Sequence, residues 1–92
     1  MVVMVLERVT PSLRGELTRW MLEPKAGVFV GDMSALVRER LWEHICKQVR
    51  DGGAMLIHST DTEQSFALRL HGDTTRSVVD YDGLQLIRIP AN

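Results

Sequence analysis

Residues 1–32 read MVVMVLERVTPSLRGELTRWMLEPKAGVFVGD, and the order of patterns within this stretch decides the fold. Val2, Val3, Met4, Val5 and Leu6 form an unbroken apolar, β-branched run, which predicts a central strand covered on both faces. Thr10 followed by Pro11 is a helix cap with proline in the first turn. Leu13, Leu17, Trp20 and Met21 then recur at helical spacing until Pro24, which predicts a helix over roughly residues 11–22. Val28, Phe29 and Val30, punctuated by Gly27 and Gly31, predict a short second strand.

Beyond Asp32 the alternation of element types continues. Ser34 is the cap of a second helix, in which Val37, Leu41, Ile45 and Val49 recur every four residues. Trp42 and Cys46 widen its apolar stripe, and Gly52 with Gly53 supplies the stop. Ala54 to Ile57 is a third apolar run; after the polar turn Asp61 to Gln64, the alternation of Phe66, Leu68 and Leu70 predicts a half-exposed strand paired with it as a hairpin. Gly72 to Val79 reads as a polar loop, Asp80 to Gly83 as a tight turn, and Leu84 to Ile89 as a last strand before Pro90. This order predicts an α/β sandwich of ferredoxin-like type, with two helices packed on one face of a mainly antiparallel sheet. The opposite sheet face then needs a cover, and a second subunit is the natural one.

Composition bounds the rest. A chain of 92 residues, 45% hydrophobic and 25% charged, has the makeup of an ordinary globular protein and forms a single domain over residues 1–92. A core this small is marginal alone, so a homodimer is expected. The single cysteine, Cys46, excludes an intrachain disulfide or a cysteine-based zinc site and fits a reducing, cytoplasmic setting. The run Met1 to Leu6 is too short for a membrane span and lacks the basic flank of a secretory signal, so no membrane association is expected. Eleven Lys and Arg against twelve Asp and Glu give a net charge of −1, which argues against nucleic-acid binding through global charge and leaves room for a local basic patch.

Several segments resemble one family. Glu7 to Gly15 (ERVTPSLRG), continuing to Trp20-Met21-Leu22-Glu23, and Ala26 to Asp32 (AGVFVGD) resemble type I-E CRISPR-associated protein 2. So do Ser34, Arg38 and Leu41-Trp42-Glu43 on the second helix, and Asp80 to Leu84 (DYDGL) near the end. The resemblance implies a ferredoxin-like homodimer that bridges dimers of the integrase, CRISPR-associated protein 1, on duplex DNA during acquisition of new spacers. It carries no implication of a small-molecule ligand. Residues 84–92 are then a C-terminal strand used in subunit or integrase contact.

Site residues follow from the same resemblance. An acidic residue at the end of the first strand, here Glu7, would hold Mg²⁺ with its symmetry mate and support phosphodiester cleavage of RNA or DNA; this metal-dependent nuclease is the alternative function. The plain reading of Glu7 is a solvated strand end or an ion-pair partner of Arg8 or Arg14. Arg14 and Arg76 stand where the family places basic residues toward DNA, and Arg19, Lys25 and Arg38 are further candidates for phosphate contact. For these last three a solvated helix face is at least as good a reading, as the mixed signs of Arg38, Glu39, Arg40 and Glu43 illustrate. Asp80 and Asp82 lack the downstream ligands of a calcium loop, and His44, His58 and His71 lack metal spacing. Trp20 and Trp42 belong with core or subunit packing rather than with base stacking.

Overall fold

The computed structural model describes residues 1–49, 52–72 and 76–89. Strand β1 (Val2–Leu6) is followed by helix α1 (Pro11–Leu17), strands β2 (Met21–Lys25) and β3 (Val28–Gly31), and helix α2 (Ala35–Gln48). Strands β4 (Ala54–Ser59), β5 (Phe66–His71), β6 (Ser77–Tyr81) and β7 (Leu84–Arg88) complete the chain. The main sheet has the order β2-β3-β1-β4-β5, and each neighbouring pair in it is antiparallel. Strand, helix, two strands, helix, strand in the spatial order β2-β3-β1-β4 is the ferredoxin-like arrangement, extended here by β5.

Alternation along the strands sorts the two faces. Val2, Met4 and Leu6 of β1, Phe29 of β3 and Ala54 and Leu56 of β4 are buried on the helical face, against Leu13 and Leu17 of α1 and Leu41, Trp42 and Ile45 of α2. Phe29, Met4, Leu17, Ile45 and Leu56 are the largest side chains fully removed from water. Ser34 caps α2 as its sequence predicts, its hydroxyl accepting from the Val37 N–H at 3.3 Å. The Thr10 hydroxyl does the same for α1, accepting from Leu13 at 3.2 Å.

The opposite face is apolar but only half covered within one chain. Val3 pairs with Val30 and Ile57, Val5 with Val28 and Met55, and Leu22 with Val30, so these side chains share one surface. They are half-buried apart from Leu22, which is 77% exposed.

Helix α1 is shorter than its sequence suggests. It ends at Leu17, where Thr18 caps it and the Trp20 N–H donates to the Leu17 carbonyl at 3.0 Å, and the chain then turns into β2. The tertiary demand wins here. Met21 is buried as the inward residue of β2 opposite Gly31, whereas Trp20, read as core or subunit packing, is 50% exposed and so is not part of this chain's core. Pro24 sits within β2 rather than ending a helix; β2 is an edge strand, where a missing N–H is tolerated, and its register with β3 shifts between Leu22 and Lys25.

The segment read as a loop up to Val79 contains β6, paired with β7 in a two-stranded ribbon. Asp82 and Gly83 have φ of 54° and 86°, the conformation that lets a two-residue Asp-Gly turn follow the twist of its strands. The Asp80 carboxylate accepts from the Gly83 N–H at 3.0 Å. Glutamine side chains moor this ribbon to the main sheet. Gln85 Oε1 accepts from the Leu68 N–H at 2.7 Å, while Gln64 donates to the Gln85 carbonyl at 2.8 Å and accepts from its N–H at 2.7 Å. No helix among the described residues is long and apolar enough to cross a membrane.

Candidate nucleic-acid interface

The register places several of the predicted site residues at one end of the sheet. Leu6, the last residue of β1, pairs with Ala54, which pairs with His71, the last residue of β5. The Leu6 N–H donates to the Gly27 carbonyl at 2.8 Å and the Glu7 N–H to the Gly53 carbonyl at 3.0 Å. Glu7, exposed, is therefore at the middle of this end. Arg14 and Lys25 lie to the side of the β2–β3 turn, and Arg76, following Gly72 after the end of β5, lies to the other side.

Gly27 makes the first side possible. Its φ is +81°, and a Cβ there would run into the Leu6 carbonyl oxygen, so only glycine lets the turn approach β1 this closely. Four residues earlier, on β2, the carboxylate of Glu23 accepts from the Gly27 N–H at 3.0 Å and from Arg14 Nε at 2.9 Å. The hydrogen bond from Arg14, helped by that from Gly27, holds the Glu23 carboxyl below the ordinary carboxylate range. The ion-pair partner of Arg14 is thus Glu23 and not Glu7.

On the other side Arg76 lines an open cleft of about 580 Å³ with Trp42, Arg69, His71, Ser77 and Gln85. The Trp42 ring meets the edge of His71 at a centroid distance of 6.4 Å, and the Arg69 guanidinium lies 6.0 Å from the Trp42 ring centre. Arg69 is committed to Glu39 of α2 through two hydrogen bonds.

The remaining candidates are not part of this end. Arg19 precedes Met21, which pairs with Gly31 and through it with Val2, so it lies at the opposite end of the sheet. Arg38 donates to Glu39 at 3.0 Å. The hydrogen bond from Arg69, reinforced by Arg38, holds the Glu39 carboxyl at about 2. A carboxyl depressed from its ordinary 4.5 contributes stability that is present above that value and lost as pH falls toward about 2. Because both partners are about two-fifths exposed, Glu39→Gln is expected to cost no more than about 1 kcal/mol at neutral pH. Thermal unfolding of the two proteins should show that difference closing between pH 4.5 and 2; a constant gap would contradict the pairing.

Two reactive groups lie on α2. Cys46 is half-buried on α2, and burial pushes its thiol up, away from a nucleophilic thiolate. His44 Nε2 contacts a Glu16 carboxylate oxygen at 2.9 Å and links α2 to α1. A magnesium ion takes about six oxygen ligands and keeps several of them as water. Glu7 offers one carboxylate, and among the described residues no three His, Cys, Asp or Glu side chains gather into a metal-holding group. The residues of one chain do not fit a resident Mg²⁺; such a site would require a second Glu7 from a symmetry-related subunit.

The class of protein is therefore a ferredoxin-like domain with an acidic strand end flanked by basic side chains. The chain matches the model of the family described as CRISPR-associated protein (Cas_Cas2CT1978) over residues 1–86, and it belongs to that family. It is a Cas2-like, CRISPR-associated protein.

Proposed function

We propose that this chain is the small subunit of a type I-E spacer-adaptation complex, a cytoplasmic homodimer that bridges dimers of the integrase on duplex DNA. The observation that carries the reading is the end of the sheet where Arg14 and Lys25 on one side and Arg76 on the other flank β1. Arginine binds phosphate oxygens without reading bases, which suits a protein that must accept arbitrary foreign sequence. The half-covered apolar face of Val3, Val5, Val28, Val30, Met55 and Ile57 supports a second subunit as its cover. A two-fold axis would double the basic end, and it would let the net charge of −1 coexist with a local positive surface.

The β6–β7 ribbon is the contact offered to the integrase. Tyr81, Leu84, Leu86, Ile87 and Ile89 are exposed on it, an apolar surface suited to strand addition or to packing under a partner's segment. Size-exclusion light scattering of the chain mixed with the integrase, with and without duplex DNA, tests this. A DNA-stimulated complex is expected for the wild type and lost both on truncation before Leu84 and in Leu86→Glu, which spares the glutamine mooring. A chain that remains a lone dimer under every condition would contradict the bridging role.

A further inference from the structure

Arg14 is held by one edge of its guanidinium only. Its Nε donates to both oxygens of Glu23, at 2.9 and 3.2 Å. Among the described residues no hydrogen bond engages Nη1 or Nη2, and the Arg14 side chain is 42% exposed against 15% for Glu23. Glu23 is itself fixed by the backbone: it accepts from Gly27, whose carbonyl is tied to Leu6 of the central strand at 2.8 Å. A planar guanidinium gripped at Nε by an anchored carboxylate has its plane set and the edge between its two Nη atoms left open, away from the grip.

We propose that Glu23 is a positioning residue that holds Arg14 by its inner edge, so that the two Nη groups are presented to a phosphate oxygen of duplex DNA. The inference rests on the reading above that Arg14 contacts DNA. Two physical effects oppose each other at this pair. Glu23 carries a negative charge near the phosphate, and if that repulsion dominated, removing it would tighten binding. Against this, a rotamer-rich side chain that must be ordered on binding weakens affinity about two- to tenfold, and the grip on Nε removes that loss in advance. The anchoring of Glu23 to the turn and the open Nη edge make ordering the larger effect.

The test is duplex-DNA binding by the full chain, read by fluorescence anisotropy over a range of salt, for wild type, Glu23→Ala, Glu23→Gln, Arg14→Ala and the Arg14→Ala/Glu23→Ala double variant. Glu23→Ala is expected to bind about three- to tenfold more weakly despite losing a negative charge. Glu23→Gln, which keeps an acceptor for Nε, recovers part of the loss, and Glu23→Ala adds nothing in the Arg14→Ala background. Tighter binding by Glu23→Ala, or an equal loss with and without Arg14, would overturn the proposal. If Arg14→Ala weakens binding and Glu23→Ala does not, the positioning role alone is wrong. If Arg14→Ala itself is silent, the phosphate contact fails and the positioning role fails with it.

Discussion

Replacing Phe29 by alanine lowers the unfolding free energy by about 3–5 kcal/mol. Phe29 is fully buried in the middle of the helical face, on β3 opposite Met4 of β1. Its ring fills space between a sheet and two helices that are fixed to each other by strand pairing, so the cavity cannot close by a simple shift. Domains of this size hold roughly 5–15 kcal/mol in total, and a chain near the lower limit would be left with no more than about 2 kcal/mol. Urea unfolding of both proteins measures the difference directly. A loss below about 1 kcal/mol would mean that the core is not arranged around Phe29.

The combined Arg14→Ala and Arg76→Ala change has the largest expected functional effect. If, as proposed, each residue makes one phosphate contact in both subunits of a dimer, the variant loses four contacts. Each contact releases about 0.9 counterion on B-form DNA, so the slope of log affinity against log salt should flatten by about 3 to 4. Core residues are untouched, since both side chains are at least partly accessible, so the fold should remain while DNA binding and spacer acquisition fall. An unchanged slope would remove these arginines from the interface.

Much of this fold is legible in local pattern because its strands and caps obey local rules. β1, β3, β4 and β5 follow from apolar runs bounded by glycine or polar turns, and Thr10 and Ser34 cap their helices as their chemistry predicts. The turn at Asp82-Gly83 is equally local, because Asp-Gly accepts two successive positive φ angles. The errors lie where tertiary structure overrides pattern. Leu17, Trp20 and Met21 have helical spacing, yet the sheet takes Met21 as the inward residue of β2 and leaves Trp20 in water. β6, with Val78 and Val79 between polar residues, gains its identity only from pairing with β7.

The candidate site was legible by residue type and not by partner. Arg14, Arg76 and Glu7 are recognisable from their positions in a family pattern and Lys25 only as a candidate cation, but spacing alone does not say that they share one end of the sheet. The Arg14–Glu23 pair spans nine residues and depends on the β2 strand that the helical reading erased. Arg38, whose mixed-sign surroundings suggest a solvated helix face, instead pairs with Glu39, with its side chain only 19% exposed. Glu7 reveals what a single chain withholds, since a metal site there would require a second subunit.

Spacer acquisition in cells, compared among wild type, Glu7→Ala and the Arg14→Ala/Arg76→Ala variant, tests most directly whether this subunit acts by holding DNA. Acquisition near the wild-type level is expected for Glu7→Ala and a clear loss for the arginine variant. The reverse result, loss with Glu7→Ala and full acquisition without the arginines, would contradict it and assign the contribution to the acidic strand end.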